Sequence, residues 1–521
     1  MINLKRLTLK EIAILSVLFI TLISCKENNK SITQPKDTTE MTYNENFRPQ
    51  YHYSPEAHWM NDPNGLVYHN GTYHLYFQYH PESSIWGPMH WGHATSKNLK
   101  DWENEPVALA PDSLGYIFSG SAVVDSLNTS GLGTIENPPL VAMFTYHDPK
   151  GAEAKTTDYQ YQGIAYSLDN GKTFTKYKNN PIVPNTDKLV DFRDPKVFWD
   201  TSTQKWILIL VAGDYAMFYN SDNLIDWTYL SEFGRDRGAH GGVWECPDLF
   251  PLTIAETGET KWILFISINP GAPNGGSGTQ YFVGDFDGKT FTSDQQDEKW
   301  IDLGRDNYAG ITYNNLPQEE RIFIGWMSNW EYGQETPTEA WRSAMTLPRK
   351  LELHKTTDYF LSNNPLPELT AGLDTSSPEI KKESDVTKFT VPNLNQSKIS
   401  FKLPKPLSNF ELKLSNTKGE FLAINYDATT KEYSLDRSKS GQVSFSDKFA
   451  SPLMKAPAIF KDNTVSDFAI YLDSSSIEFF ADGGSNALTA QFFPNEPYTN
   501  FSLATEDEIT ELSITHIPSI W

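Results

Sequence analysis

Runs of apolar and aromatic residues recur at regular steps of 56 to 67 residues through the first two-thirds of the chain. Most are followed by a second short run, a turn of Asn, Asp or Gly residues and a closing aromatic residue, as in a β-hairpin. Units of this length with several strands each are typical of β-propeller blades, so the pattern predicts five blades. A large β-sandwich with similar strand spacing is the alternative. The five runs begin at Tyr73, Leu140, Trp206, Trp262 and Ile322.

A different pattern begins near Ser376, where apolar and polar residues alternate strictly, as in Lys398–Leu403. This alternation is typical of antiparallel strands that bury one face. Short alternating strands separated by turns indicate a β-sandwich. We therefore predict an all-β fold in which a five-bladed β-propeller, residues 48–352, is followed by a linker, 353–370, and a C-terminal β-sandwich, 371–521.

The composition and net charge limit the kinds of partner that the protein can bind. The chain has 521 residues and a formal net charge of −23, which argues against nucleic acid and against an anionic membrane surface. A neutral substrate is compatible with this charge. The hydrophobic fraction of 39% and the length allow two or more globular domains.

The N-terminus resembles a bacterial lipoprotein signal peptide. Basic residues up to Lys10 precede an apolar run, Ile12–Ser24, which is short for a membrane span. The run ends in Leu-Ile-Ser-Cys, which resembles a lipobox with Cys25 as the lipidated first mature residue. A plain secretory signal or a structural helix is the alternative. We predict a signal peptide over 1–25, a flexible polar tether over 26–47, and an exported lipoprotein, in the outer membrane, at the cell surface or in the periplasm, attached to the membrane by its lipid alone.

Metal and disulfide chemistry have little support in the sequence. Cys25 and Cys246 are the only cysteines, so acylation of Cys25 leaves Cys246 without a disulfide partner, and a zinc site built on cysteines is excluded. The histidines lack close ligand spacing, and no EF-hand-like segment occurs. Three acidic residues could hold a hard cation such as calcium, which is the alternative. We expect no metal and no cofactor.

Acidic residues occupy similar positions ahead of three of the five runs: Asp62, Asp194 and Glu245. Alone, an Asn-Asp-Pro segment such as that at Asp62 is more often a surface turn. In a propeller, however, the inner strands line one axis, so these carboxylates would converge. Repulsion and burial would then separate their pKa values, as acid–base and nucleophilic attack on a glycosidic bond require. Aromatic residues that could stack on a sugar, or pack between blades, are Trp59, Trp86, Phe118, Trp244 and Tyr308.

These segments resemble the signature motifs of the invertase–inulinase–levanase family of glycoside hydrolases. The resemblance runs in order from about Arg48 to Trp521. It implies a bacterial β-fructosidase with a five-bladed propeller and a β-sandwich, which agrees with the repeat pattern. The similar segments are Trp59–Gly65, Phe118–Ser121, Arg193–Pro195, Glu245–Pro247, Trp341–Arg349 and Ile470–Phe480.

The resemblance also implies a role for each carboxylate. Asp62 would be the nucleophile, Glu245 the acid/base, and Asp194 a transition-state stabiliser kept ionised by Arg193. A retaining mechanism would place the carboxyl groups of Asp62 and Glu245 about 5–5.5 Å apart. The residues implied in binding the terminal fructose are Trp59, Asn61, Gln78, Trp86, Phe118, Ser119, Arg193 and Trp341.

The implied reaction is hydrolysis of fructans or sucrose-type substrates with release of fructose. We expect exo action, because the segments around Tyr308 and Trp341 resemble exo-acting relatives. Endo action, fructosyl transfer, and a five-bladed arabinan or xylan hydrolase are the nearest alternatives. A sialidase is suggested by the Asp-box-like segment Ser167–Phe174. The most distant alternative is a non-catalytic surface glycan-binding propeller.

Overall fold

The fold is almost entirely β-structure. In the computed structural model, the strands of the described residues are accompanied by three short helical segments: α1 (Pro149–Glu153) and the 3-10 turns Pro367–Leu369 and Leu394–Gln396. Within the described residues, no helix has the length and apolarity needed to cross a membrane. The described residues are 43–521 except 255, 317–319, 379–380, 393, 452 and 462–463.

Two predicted segments fall wholly or partly outside these residues. The signal peptide over 1–25, with Cys25, and the tether from 26 to 42 lie outside the described residues. The rest of the predicted tether differs from the prediction, because aromatic rings attach it to the folded unit. Tyr43 stacks on Trp521 with ring centroids 4.0 Å apart, and Phe47 packs edge-on against Phe493 at 5.3 Å.

The second and third blades are antiparallel four-stranded sheets, and the first has four antiparallel strands of its own plus one short parallel strand, Trp341–Arg342, from later in the chain. Within each blade, sequential strands are neighbours. The first apolar runs are the second strands of these blades, where both faces are covered by neighbouring blades. The strands are β1 (His58–His69), β2 (Thr72–His80), β3 (His90–Ser96), β4 (Trp102–Leu109), β5 (Tyr116–Val124), β6 (Leu140–His147), β7 (Gln160–Ser167), β8 (Thr175–Lys176), β9 (Arg193–Asp200), β10 (Lys205–Ala212), β11 (Tyr215–Ser221) and β12 (Thr228–Phe233).

The last two blades have the same plan with short additional strands at their margins. Their second strands again contain the predicted apolar runs. The strands are β13 (Val243–Thr253), β14 (Thr260–Asn269), β15 (Gly278–Phe286), β16 (Phe291–Thr292), β17 (Lys299–Trp300), β18 (Tyr308–Thr312), β19 (Ile322–Met327), β20 (Trp341–Arg342), β21 (Ala344–Met345), β22 (Arg349–Lys355) and β23 (Tyr359–Pro365).

The inner strands form a closed ring. In order around the axis, β1 contacts β5, β5 contacts β9, β9 contacts β13, β13 contacts β18, and β18 returns to β1. The ring is closed in part by β20, which pairs in parallel with β1 through His58 opposite Trp341 and Trp59 opposite Arg342. A radial arrangement of this kind leaves only short, protected strand edges at the axis. The five-bladed arrangement predicted from the repeat is confirmed.

The predicted linker over 353–370 is not a linker. β23 pairs with β22 as the outer part of the fifth blade. The side chains of Leu351, Leu353 and Leu361 are buried against the fourth blade. Burial of these leucines stabilises the fifth blade, because each removes apolar surface from water.

The C-terminal part is a sandwich of two antiparallel sheets with six and seven strands. The alternation predicted for Lys398–Leu403 is confirmed in β27, where every second side chain enters the core. The strands are β24 (Thr375–Ser376), β25 (Lys381–Glu383), β26 (Val386–Thr390), β27 (Ser397–Pro404), β28 (Phe410–Ser415), β29 (Phe421–Asp427), β30 (Glu432–Lys439), β31 (Met454–Pro457), β32 (Val465–Leu472), β33 (Ser476–Ala481), β34 (Asn486–Gln491), β35 (Asn500–Thr505) and β36 (Thr510–His516).

Buried ion pairs join the sandwich to the propeller. Arg349 contacts Asp302 at 2.8 Å and Glu478 at 2.6 Å, and His52 lies between Asp473 at 2.8 Å and Glu478 at 2.9 Å. These side chains have almost no exposed surface, so each charge depends on its partners for stabilisation. These paired charges therefore favour one arrangement of the sandwich relative to the propeller.

Candidate active site

Each of the five inner strands contains a β-bulge near its N-terminal end. A bulge leaves residues out of the ladder and changes the direction of their side chains. At these positions the strands can point polar groups into the space at the propeller axis. The residues within the five irregular steps are Asn61 and Asp62, Phe118 and Ser119, Asp194 and Pro195, Cys246 and Pro247, and Ala309 and Gly310.

The bulges hold unusual backbone conformations. Asp194, Cys246 and Ala309 have φ values of +63°, +45° and +53°. Residues other than glycine rarely adopt this region, and each instance costs about 1–3 kcal/mol. Gly65, downstream of the first bulge, has a φ of +54°, and a Cβ there would lie 2.7 Å from the Tyr76 ring. Such strain is concentrated where it fixes the direction of functional groups.

Asp62 accepts hydrogen bonds from three side chains. Ser119 Oγ donates to Oδ2 at 2.7 Å, Asn61 Nδ2 donates to Oδ1 at 3.0 Å, and the Cys246 thiol lies 3.5 Å from Oδ2. Asn61 is itself fixed by Trp59, whose indole N–H donates to Asn61 Oδ1 at 2.7 Å. The side chain of Asp62 is therefore held in one orientation by its neighbours.

Asp194 and Asp62 both lie against Cys246. The backbone N–H of Cys246 donates to Asp194 Oδ2 at 3.0 Å, and the Cys246 thiol lies 3.7 Å from the same oxygen. Since the thiol also lies against Asp62, Cys246 bridges the two aspartates. This thiol is free and buried.

Glu245 is oriented by a cation and a phenol. Arg193 Nη2 contacts Glu245 Oε1 at 2.9 Å, and the Tyr308 hydroxyl donates to Glu245 Oε2. Arg193 is held in turn by Asp191 at 2.5 Å. The carboxyl group of Glu245 thus has both oxygens directed by the protein.

Burial raises the pKa of all three carboxyl groups. For Asp62 the hydrogen bond from Ser119 opposes the effect of burial on the pKa, and for Glu245 the charge of Arg193 opposes it. Burial raises the pKa of Asp194 to about 7, again against the charge of Arg193. Burial therefore shifts each group toward its protonated form, which for Glu245 is the form that general-acid catalysis requires.

The prediction that Arg193 keeps Asp194 ionised is wrong. Arg193 Nε is 3.9 Å from Asp194 Oδ2, whereas its terminal nitrogens are closer to Asp191 and Glu245. The charge of Arg193 is thus shared among three carboxylates, and burial dominates the pKa of Asp194.

The three carboxylates lie in one cavity of about 410 Å³ at the propeller axis. It contains most of the predicted binding residues, namely Asn61, Gln78, Trp86, Phe118, Ser119 and Arg193. It also contains residues that the sequence motifs did not identify: His147, Tyr159, Gln160, Asp191, Trp330 and Gln334.

One of these additional residues, Asp191, could have been inferred from the sequence. Asp191 stands two positions before Arg193, and its φ of +54° directs it back toward that guanidinium. Trp330 and Gln334 belong to the loop between β19 and β20, whose position depends on tertiary contacts. In the part of the chain that the structure describes, no group of His, Cys, Asp and Glu side chains has the arrangement of a metal site.

Trp59 and Trp341 lie behind the cavity and do not form its wall. Trp59 is fully buried and packs against Trp326 and Trp330 at 5.9 and 5.8 Å between ring centroids. Trp341 is 3% exposed, and the guanidinium of Arg48 lies 4.4 Å from its ring. Their predicted role in binding the terminal fructose is therefore corrected, because the Trp59 ring packs on Trp326 and Trp330 and the Trp341 ring packs under Arg48.

Comparison with known proteins agrees with this geometry. Levanase from Bacillus subtilis (strain 168) is 43% identical over 498 residues, which cover 92% of this chain and 72% of the relative. The extracellular exo-inulinase inuE of Aspergillus niger (strain ATCC MYA-4892 / CBS 513.88 / FGSC A1513) is 41% identical over 522 residues and covers 92% and 96%. The crystal structure of exo-inulinase from Aspergillus awamori superposes with a TM-score of 0.83 at 38% identity, covering 92% of this chain and all of that one.

Two family domains together account for nearly all of the described chain. Residues 52–365 match the N-terminal domain of glycosyl hydrolases family 32, and residues 368–517 match the C-terminal domain of the same family. These matches confirm the resemblance to invertases, inulinases and levanases. The chain belongs to glycosyl hydrolases family 32 and is a glycosidase.

Proposed function

We propose that this glycosidase is an exo-acting, retaining β-fructosidase that releases terminal fructose from levan- or inulin-type fructans. The main support is one observation: Asp62, Asp194 and Glu245 extend from three different inner strands into the same cavity. Relatives named levanase and exo-inulinase support the substrate class. A fructofuranosidase from Schwanniomyces occidentalis, solved with fructosylnystose, has a similar fold with a TM-score of 0.81 at 31% identity.

In the first step, Asp62 attacks the anomeric carbon of the terminal fructosyl unit. The bond from that carbon to the glycosidic oxygen breaks, and the leaving oxygen takes the proton of Glu245. The donors on Asp62, from Ser119, Asn61 and Cys246, favour its carboxylate form. The product of this step is a fructosyl ester on Asp62.

In the second step, Glu245 removes a proton from water, and the water oxygen attacks the same carbon. The ester bond to Asp62 breaks, which returns the carboxylate and releases fructose with the original anomeric configuration. Burial raises the pKa of Glu245, so the group can carry the proton that the first step needs. Arg193 and Tyr308 hold Glu245 in place through both steps.

Asp194 has a different role in this scheme. It lies beside Asp62, has no direct hydrogen bond from an arginine, and is held by the N–H of Cys246. Its carboxyl group is available to hydroxyl groups of the fructosyl unit, whose ring carries positive charge in the transition state. We assign it to transition-state stabilisation rather than to the covalent step.

Exo action is supported by relatives that are named exo-inulinases, among them the protein of Aspergillus niger and the solved structure from Aspergillus awamori. Asp62, Asp194 and Glu245 share their cavity with aromatic side chains. Trp86 and Phe118 form one wall, with ring centroids 6.0 Å apart, on which a sugar face can stack.

Product analysis tests the proposal. The purified protein is incubated with levan, inulin and sucrose, and products are separated over time. The expected early product is fructose alone from levan and inulin, and fructose with an equal amount of glucose from sucrose. Product formation should disappear with Asp62→Asn and with Glu245→Gln in folded protein. Early oligosaccharides would contradict exo action, transfer products longer than the substrate would indicate a fructosyltransferase, and no fructose from any substrate would reject the function.

We also propose that the protein is an exported lipoprotein attached through Cys25. The support is the sequence alone: a basic segment, the apolar run Ile12–Ser24 and Cys25 itself. Expression of the full chain in a bacterium with labelled palmitate should label the protein, and Cys25→Ala should abolish the label. Labelling that survives in Cys25→Ala would contradict the assignment.

A further inference from the structure

The active-site cavity is bordered by a loop that the sandwich holds from behind. This loop, residues 328–340, connects β19 to β20 and contributes Trp330 and Gln334 to the cavity. Between these two residues the chain turns back, and Tyr332 points away from the cavity into the interface with the sandwich, where it is buried with Phe449 and Phe493. One face of the loop thus meets substrate, and the other meets the second domain.

Arg437, on strand β30 of the sandwich, connects this loop to the ring of inner strands. Its guanidinium is 1% exposed and contacts Asp306 Oδ2 at 2.5 Å through Nη1 and the Tyr332 hydroxyl at 2.7 Å through Nη2. The Tyr332 hydroxyl in turn donates to Asp306 Oδ1 at 2.7 Å. Arg437, Asp306 and Tyr332 therefore form a closed triangle, called here the clamp.

The clamp is fixed on the sandwich side as well. Arg437 Nε donates to the Phe449 carbonyl at 2.9 Å, and Nη1 also donates to the Gln491 carbonyl at 3.0 Å. The backbone N–H of Gln491 donates to Asp306 Oδ2 at 2.8 Å. Since each polar group has a directional partner, the clamp permits one arrangement of the two domains at this point.

Two residues of the clamp, Asp306 and Tyr332, are close in sequence to residues that shape the active site. Asp306 stands two residues before Tyr308, whose hydroxyl orients Glu245. Tyr332 lies between Trp330 and Gln334, two residues from each. A displacement of the clamp would therefore move both the phenol on the acid/base residue and the side chains that border the sugar.

We propose that Arg437 is a positioning residue for the active site, acting through Asp306 and Tyr332 on Tyr308 and on the 328–340 loop. A buried charged cluster is costly to desolvate, and well-packed apolar side chains often stabilise an interface equally well. The directional hydrogen bonds of the clamp fix the position of the 328–340 loop relative to the start of β18. The sandwich thus contributes to catalysis without a side chain in the cavity. This inference rests on the proposed function of the site.

The test compares clamp variants with a control that destabilises the sandwich elsewhere. Tyr332→Phe removes the hydroxyl of the clamp and keeps the ring, and Arg437→Lys keeps the charge but shortens the reach. The control is Leu412→Ala, which opens a cavity in the sandwich core away from the clamp and should lower Tm. All are made in the full chain and assayed well below their Tm.

Both clamp variants should lower kcat/KM on fructan by about 10- to 100-fold, with a rise in KM, because small displacements in a site cost this much. Amide hydrogen exchange should accelerate in peptides spanning residues 328–340. The basic limb of the pH profile should move to higher pH, because loss of the Tyr308 hydrogen bond raises the pKa of Glu245. Leu412→Ala should change none of these properties.

Clamp variants that match Leu412→Ala in kcat/KM, exchange and pH profile would overturn the proposal and leave the clamp a purely structural feature. Hydrogen exchange keeps this test separate from the proposed function. A wild-type protein that releases no fructose would reject the function, whereas unchanged exchange over 328–340 in Arg437→Lys and Tyr332→Phe would reject the clamp.

Discussion

Among single residues, Asp194 shows the electrostatic cost of assembling the site. Burial beside Asp62 and Glu245 raises its pKa from 3.8 to about 7. Between pH 3.8 and about 7, the carboxyl group of Asp194 is therefore protonated in the folded protein and ionised in the unfolded chain. Under this linkage, ionisation of Asp194 destabilises the fold progressively as the pH rises from 3.8 to about 7.

Asp194→Asn should therefore stabilise the protein at alkaline pH while impairing its activity. We expect Tm to exceed that of the wild type by about 2 °C at pH 8 and to equal it near pH 4, because the asparagine carries no charge at either pH. Thermal unfolding followed by circular dichroism at both pH values measures this. The control is Asp187→Asn, an exposed carboxylate, which should show no such pH-dependent gain. A gain of equal size at both pH values would contradict the explanation.

The motifs predicted which carboxylates meet, but not how they are held. Asp62, Asp194 and Glu245 could be placed together because each precedes an apolar run in a repeated unit. The partners of Arg193 could not be predicted, because Asp191, Asp194 and Glu245 compete for it and distance decides among them. Trp59 was assigned to the sugar because it lies within a motif, whereas burial places it behind Asn61.

Among the elements, the inner strands combine regular pairing with irregular steps, and three of these steps contain a non-glycine residue with a positive φ: Asp194, Cys246 and Ala309. At Ala309, in the bulge of β18, φ is +53° and the side chain is fully buried. Alanine pays a conformational cost there that glycine would not. The strain is retained next to Tyr308, which holds Glu245.

Ala309→Gly should stabilise the protein by about 0.5–1 kcal/mol, because glycine adopts a positive φ without strain. Urea denaturation measures the change in the free energy of unfolding. The matched control is Ala122→Gly on β5, a buried position without a positive φ, where the same substitution should destabilise by about 1 kcal/mol. Destabilisation by both substitutions to a similar extent would show that Ala309 carries no strain.

Periodicity predicted the strands but could not predict the bulges. The second strand of each blade is apolar on both faces, so it is visible in the sequence as a continuous run. A bulge changes the pairing by one or two residues and has no hydrophobic signature of its own. The predicted linker over 353–370 missed β23, because this strand has only three apolar residues in a row, Tyr359–Leu361, before polar Ser and Asn residues.

For the whole molecule, the interface between propeller and sandwich is polar, buried and sensitive to pH. Burial alone would lower the pKa of His52, but its bonds to Asp473 and Glu478 raise it to about 9. A folded-state pKa above the ordinary 6.5 stabilises the fold fully below that pH. This stabilisation is lost as the pH rises through about 9.

Wild-type stability should therefore fall between pH 6.5 and about 9, by an amount of the order of 3 kcal/mol from this histidine. His52→Gln should be less stable at pH 6 and should show a flatter profile over this range, measured by urea denaturation at several pH values. His516→Gln, at an exposed position, is the control and should keep the wild-type slope. A slope unchanged in His52→Gln would contradict the assignment.

The two-domain architecture could be predicted from the change in hydrophobic pattern, but the interface could not. Its charged residues, such as His52, Asp306 and Arg437, are far apart in sequence and are polar residues of ordinary appearance. Only the folded arrangement shows that they are buried and paired. Similarly, the dependence of the 328–340 loop on the sandwich is a property of the whole molecule.

Trapping the fructosyl ester on Asp62 would test the covalent mechanism directly. Glu245→Gln is incubated with β-fructosyl fluoride, whose leaving group needs no acid, so the ester should form and accumulate for want of a general base. Peptide mass spectrometry after an acid quench should then find one fructosyl unit on Asp62, and none in the double variant Asp62→Asn/Glu245→Gln. An adduct on another residue, or none despite fructose release by the wild type, would contradict the account.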